Sequence, residues 1–252
     1  MKHRFPGTVL AIAGMLASYG TMMAQSIPRM PDGKPDLSGV WLGASPAEVR
    51  ERGLRTGQRR SRGDRPFQPW AKKMWEYHRD PFSESGRNRN ELNPRATSCY
   101  PPDLNYLITN DNDHVEIIQS QQRVLMIYEY DFWVRQVWMN EDHPDPETLE
   151  LKWMGHSVGK WDGDTLVLDT IKIDPRNSYG NFIHTDALHL TERIRRVAND
   201  VLETVATVDD PKAYTEEWTF GPTYYVLRPD ERLEERVFCN EKYGERGIWF
   251  GE

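Results

Sequence analysis

The side chains that could transfer protons are concentrated between His184 and Arg196 (HTDALHLTERIRR). If this run is extended, its even-numbered residues share one face, and the leucines and isoleucine among them predict that this face points inward. Glu192 is then a carboxylate in the core, and His184 and Asp186 lie near the open end of the strand. We predict that His184 and Asp186 act as a base and its orienting partner, with Glu192 or Asp169 as a deeper acid of raised pKa.

Three other strand-like segments place a charged residue among apolar neighbours of the same parity. These sets are Glu129 with Leu125 and Ile127, Arg135 with Trp133 and Val137, and Asp169 with Val167 and Ile171. A buried charge is costly unless it is paired, and Arg135 is a suitable partner for Glu192 or Glu129. Two interpretations stay open, an internal ion-pair network and a ligand pocket. The pocket would be lined by Arg135 and five ring-bearing residues: Tyr128, Tyr130, Trp133, Trp138 and His156.

Motifs for nucleophile, metal and nucleotide sites lack the context that each needs. The G-x-S-x-G match at Gly155–Gly159 is followed by hairpin residues rather than by the helix of a nucleophile elbow. The pattern His184-x-Asp186-x-x-His189 contains metal-ligand types, but on a strand His189 faces away from the other two residues. The sequence has no Gly-rich phosphate loop and no dinucleotide fingerprint. We therefore predict neither a metal nor a cofactor.

The two cysteines of the chain, Cys99 and Cys239, predict a disulfide if the protein folds in an oxidising compartment. The bond would close a loop of 140 residues. Chain entropy assigns about 4–5 kcal/mol to a loop of that length. Two buried thiols and a nucleophilic cysteine are the alternatives.

The N-terminal residues 1–24 have the pattern of a secretory signal peptide. Lys2 and Arg4 precede an apolar run from Val9 to Ala17, and Ala24 ends a small-residue cleavage site. The run is too short to span a bilayer, so we predict an exported protein, periplasmic or secreted, with no integral membrane segment in the mature chain. The net charge of −7 argues against a nucleic-acid partner. The sequence leaves the oligomeric state open.

Residues 113–252 alternate between β-rich runs and tight turns, which predicts a mainly β domain. The Asp162-Gly163 pair is typical of a hairpin turn. We predict roughly nine strands in an antiparallel meander that closes into a barrel rather than a sandwich. The predicted runs are Val124–Tyr130, Phe132–Met139, Asp164–Ile171, Ala187–Val197, Val201–Val208, Tyr214–Phe220, Thr223–Arg228 and Leu233–Cys239.

Residues 25–112 form an extended lead-in followed by an Arg-rich, partly helical segment that we expect to pack on the barrel. Ser45, Pro46 and Glu48 are typical of a helix start, and residues 70–77 have helical spacing of apolar residues. Between residues 47 and 95 the chain carries thirteen Lys or Arg against seven acids. This segment is either a basic cover on an acidic body or an entrance for an anionic substrate or a membrane surface.

Four blocks of the sequence resemble an uncharacterised family of exported proteins common in soil bacteria: PDGKPDLSGVW, GHSVGKWDGDTLVLDT, HTDALHLTERIRR and DPKAYTEEW. That resemblance implies export and a shared fold, and it carries no catalytic residue with it. Separately, Gly39-Val40-Trp41 is similar to the Gly-x-Trp that begins the first barrel strand of lipocalins. This second resemblance implies a lipocalin-like barrel.

These observations support two hypotheses about function. The first is an exported enzyme, a lyase, isomerase or hydrolase, that performs cofactor-free acid–base chemistry on a small ring-containing molecule in a barrel pocket. The second is a non-catalytic, lipocalin-like protein that binds an apolar or aromatic ligand. The enzyme hypothesis requires His184, Asp186 and a second acid to converge on one solvent-reachable cavity.

Overall fold

The computed structural model describes residues 26–54, 65–79, 100–102, 104–109, 113–178 and 183–234. The predicted signal peptide over residues 1–24, both cysteines, and much of the Arg-rich segment lie outside these ranges. The predicted disulfide therefore stays a prediction. The predicted strand Leu233–Cys239 also lies largely outside the described residues.

Nine strands form one closed barrel in which each strand pairs with its neighbours in sequence, and β1 pairs with β9 to close the ring. The predicted mainly β barrel is confirmed. The two predicted runs Tyr214–Phe220 and Thr223–Arg228 are largely one strand, β9. The strands are β1 Gly39–Gly43, β2 His114–Gln119, β3 Arg123–Tyr128, β4 Trp133–Met139, β5 His156–Asp162, β6 Thr165–Ile171, β7 His189–Ala198, β8 Val201–Asp209 and β9 Trp218–Leu227.

One strand pair departs from the predicted antiparallel meander, because β4 and β5 are parallel. Parallel neighbours need a connection that returns to the same end of the sheet. Residues 140–155, which we call the crossover segment, make that return. Asn140 turns the chain with a φ of 60°, and its amide donates to the Gly159 carbonyl.

The β5–β6 hairpin has the tight turn that the Asp-Gly pair predicts. Asp162 pairs with Thr165 across Gly163, whose φ is 60°. This turn fixes the register, so Val158 lies opposite Asp169 and Ser157 lies opposite Thr170. The register decides which polar side chains share a face of the sheet.

The barrel begins earlier than the predicted boundary at residue 113, because β1 lies in the segment assigned to the lead-in. Three α-helices accompany the barrel in the described part of the chain: α1 Pro46–Glu51, α2 Pro69–Arg79 and α3 Leu104–Thr109. Ser45 and Glu48 form the predicted capping box of α1. At the start of α2 the Trp70 indole donates to the Lys212 carbonyl, which ties the helix to the barrel.

The core lies inside the barrel, and its composition corrects two predicted faces. In β3 the buried residues are Val124, Met126 and Tyr128, not Leu125 and Ile127. In β6 Leu166, Leu168 and Thr170 are buried, and Asp169 lies on the outer face. The predictions for β4 and β7 are confirmed, because Arg135 and Glu192 are both fully buried.

Among the residues that the structure describes, no helix has both the length and the apolar character needed to cross a membrane.

Candidate functional site

The buried Arg135 organises a polar network inside the barrel. Its Nη2 lies 2.5 Å from the Glu192 carboxylate and donates to Thr170 Oγ1, and its Nε donates to Ser157 Oγ at 3.0 Å. Burial alone would lower the pKa of Arg135, but Glu192 outweighs it and raises the pKa. The predicted Arg135–Glu192 partnership is confirmed.

Ser157, the serine of the G-x-S-x-G match, belongs to this network and is buried. Its hydroxyl hydrogen-bonds Thr170 as well as Arg135, so it is a link in the core rather than an exposed nucleophile. Gly155 has a φ of 64°, and a Cβ there would lie 2.6 Å from the Ile171 carbonyl oxygen. The first glycine of the motif is therefore required by the backbone conformation and close packing at the start of β5.

The described interior leaves little room for a ligand beside this network. A cavity of about 30 Å³ is lined by Tyr128, Glu192 and apolar residues, which is space for one or two water molecules. Burial raises the pKa of Tyr128 to about 12. Tyr130 lines a smaller cavity of about 10 Å³, next to His114.

The predicted pair His184 and Asp186 does not lie on a strand, because β7 begins at His189. His184 is buried and its amide donates to Ser178 Oγ, whereas Asp186 is half exposed and binds Lys212 Nζ at 2.7 Å. The chain bends between them at a turn, so the period-two rule that placed both on one face does not hold. The predicted shared strand face is therefore wrong, and the membership of both residues in a functional site stays a prediction.

The outer face of the barrel brings four other titratable side chains together. Asp169 on β6 binds His189 Nε2 on β7 through a short contact. Its other carboxylate oxygen lies 3.8 Å from Nε2 of His143, which comes from the crossover segment. His143 Nδ1 lies 2.8 Å from Nδ1 of His156 on β5. We call this row, His156–His143–Asp169–His189, the histidine relay.

The pKa values of the relay members are shifted from their ordinary values, some upward and some downward. Burial lowers the pKa of His143 and of His156, and each is lowered further by a neighbouring cation or imidazole. The hydrogen bond that His189 donates to Asp169 raises the pKa of His189. Burial would raise the pKa of Asp169, but His189 outweighs it and lowers the pKa. These directions favour neutral rings at His156 and His143 and the charged forms of Asp169 and His189.

The relay ends at a cavity of about 400 Å³ on the outer face of β4 and β5, which we call the outer cavity. This volume is within the range of small-molecule sites. Three of the predicted ligand-binding residues, Trp133, Trp138 and His156, line it together. Other lining residues come from the crossover segment and the turn after β6: Leu151, Lys152, Trp153, Met154, Asp174 and Arg176.

The walls of the outer cavity are fixed by contacts of their own. The Arg176 guanidinium lies 4.6 Å from the Trp153 ring centre and is bound by the Asp174 carboxylate at 2.5 Å. That hydrogen-bonded pair lowers the pKa of Asp174, so the two charges cancel at this wall. Val134 and Leu151 stay exposed beside the tryptophans, so part of the apolar lining is open to solvent.

The residues of this region that were not predicted as site residues include His143, Trp153, Arg176 and His189. His143 and Trp153 lie in the crossover segment, whose path depends on the parallel β4–β5 pairing. His189 is the first residue of β7, and its Nε2 contacts Asp169 on β6. One feature of the sequence could have predicted part of this cluster. The register of the Asp162-Gly163 hairpin places Asp169 and His156 on the same face of the sheet.

Comparison with known protein families and with curated proteins finds no match for this chain. Within the described ranges, no group of three or more His, Cys, Asp or Glu side chains has the donor geometry of a metal site. The chemistry of the site must therefore be argued from its hydrogen bonds, charges and shape.

Proposed function

We propose that this protein is an exported small-molecule-binding barrel that takes an aromatic ligand in the outer cavity. The observation that carries the proposal is the cavity's lining, in which Trp133, Trp138 and Trp153 meet around about 400 Å³ of space. Tryptophan provides a large apolar face with a polar edge, which suits a ring-bearing ligand. Export and the Cys99–Cys239 disulfide are part of this proposal.

The non-catalytic hypothesis from the sequence agrees better with these positions than the enzyme hypothesis built on His184 and Asp186. Asp186 is engaged by Lys212 at the surface, and Glu192 is engaged by Arg135 inside the barrel. These two predicted catalytic groups therefore have separate partners. The ligand site proposed here also differs from the lipocalin-like interior site, because the described interior is filled by side chains.

The proposal can be tested by titrating the full chain with 4-methylanisole under ligand-detected NMR. Replacing Trp138 by leucine removes a ring from the wall, and we expect at least tenfold weaker binding, which corresponds to about 1.4 kcal/mol. Trp70→Leu is the matched control, because Trp70 lies on α2 and does not line the outer cavity. Equal affinity in wild type and Trp138→Leu, or no saturable binding to wild type, contradicts the proposal.

A further inference from the structure

The hydrogen bond between His143 and His156 restricts where their protons can be. Two Nδ1 atoms 2.8 Å apart need one proton between them, so one ring donates and the other accepts. Both rings cannot be imidazolium at once, because two N–H groups would then face each other. Burial also lowers the pKa of both rings, so at neutral pH the pair has one of two neutral arrangements, and its neighbours decide which.

Asp169 selects between these arrangements. His143 Nε2 is buried and lies 3.8 Å from the Asp169 carboxylate. A lone pair aimed at a carboxylate is repelled, whereas an N–H is attracted, so the proton of His143 belongs on Nε2. His143 Nδ1 is then the acceptor, and His156 carries its proton on Nδ1. The lone pair of His156 is left on Nε2, for which the described residues supply no hydrogen bond.

The other charged groups around the relay do not reverse this assignment. Lys152 lies near His156 and disfavours an imidazolium there, while Glu141 has the opposite effect. Asp142 faces His143 but is bound by Lys160 Nζ at 2.8 Å. Asp209 acts on His189, at the far end of the relay.

We propose that His156 Nε2 accepts a hydrogen bond from the hydroxyl group of the ligand, so that the outer cavity selects phenols over rings that have no hydroxyl group. This inference rests on the proposed function, since it assigns the ligand class of the same cavity. His156 lines the outer cavity and is the end of the relay that meets it. A ligand that covers this acceptor without pairing it loses binding free energy, so a ligand without the hydroxyl is penalised.

The charge of the cavity wall favours a neutral phenol over a carboxylate. Asp174 cancels the charge of Arg176, which leaves Lys152 as the cation of the described lining. A carboxylate would place a negative oxygen against the lone pair of His156. A phenol donates its proton to that lone pair, and Lys152 then stabilises the charge that builds on the phenol oxygen.

The test compares p-cresol with 4-methylanisole, which differ by a methyl group on the oxygen and so by the donated proton. We expect wild type to bind p-cresol at least tenfold more tightly. Asp169→Asn removes the charge that sets the tautomers, and we expect it to weaken p-cresol binding so that the preference falls to less than threefold. Asp142→Asn is the matched control and keeps the preference, because Asp142 is exposed and paired with Lys160.

Nitrogen-15 NMR of the imidazole rings in the full chain provides a readout that does not depend on a ligand. At neutral pH we expect His156 to be protonated at Nδ1 and His143 at Nε2. The reverse tautomers overturn the inference, as does equal binding of the two compounds to wild type. If neither compound binds, the proposed function fails instead, so the two failures are distinguishable.

Discussion

The barrel wall carries polar groups on both sides, and the two sides differ in the space that lies beside those groups. Inside, Arg135 donates to Ser157 and Thr170 and forms an ion pair with Glu192, and the adjacent cavity of about 30 Å³ has room for water alone. Outside, the histidine relay ends at His156 beside about 400 Å³ of open space. A polar network next to a filled core supports the fold, whereas one that ends at a cavity can recognise a ligand.

The largest expected effect follows from breaking the interior network. Glu192→Leu leaves the Arg135 guanidinium buried and uncompensated, and loss of one partner of a buried ion pair costs about 3–5 kcal/mol. We expect a loss of that size in the free energy of unfolding, measured by urea denaturation. Retention of wild-type stability by Glu192→Leu would show that the interior pair is no more important than a surface pair.

A smaller and pH-dependent effect is expected from the outer pair Asp169–His189. The folded pKa of His189 is raised, so its contribution to stability is complete below about pH 6.5 and is lost as pH rises through the folded pKa. The pKa of Asp169 is lowered, so its contribution is present above about pH 4 and is lost as pH falls through the folded pKa.

Asp169→Asn removes the carboxylate of this pair. We expect the stability difference between wild type and Asp169→Asn to be largest between about pH 4 and 6.5, and to decrease above that window. Denaturant titrations at about pH 3, 5.5 and 9 measure the difference in the free energy of unfolding below, inside and above this window. A difference that grows steadily toward alkaline pH would contradict the assignment of charges in the relay.

The smallest effect is expected at Asp186, where both partners of the ion pair are exposed. Exposed pairs contribute between about 0 and 1 kcal/mol. We expect Asp186→Asn to change the free energy of unfolding by less than about 0.5 kcal/mol and to leave 4-methylanisole binding unaltered. Loss of 4-methylanisole binding in the folded Asp186→Asn protein would support the prediction that Asp186 belongs to the functional site.

Parts of the fold that depend on local signals could be predicted from the sequence. The capping box at Ser45 and Glu48, the Asp162-Gly163 turn and the alternation in β7 each have a cause within a few residues, and each prediction was right. Asp169 was assigned to the wrong face because β6 has apolar residues on both sides, so its pattern alone does not identify the core side.

The outer cavity could not be predicted from the sequence, although Trp133, Trp138 and His156 were each named as ligand-binding residues. Their proximity depends on the β4–β5 pairing, which is parallel and joins Val137 to Ser157 across the crossover segment. A hairpin was the simpler expectation for consecutive strands. His143 had no local pattern to distinguish it, because its role arises from where that connection passes.

The crossover segment supplies residues to the ligand site, whereas the strands supply the residues of the interior network. Its sixteen residues lie between β4 and β5 and supply His143, Leu151, Lys152 and Trp153 to the site. The interior partners of Arg135 all come from strands. Substitutions at its exposed residues, such as Leu151, can therefore alter what the protein recognises without the cost of repacking a core. A designer who wishes to graft a new specificity onto this barrel would begin there.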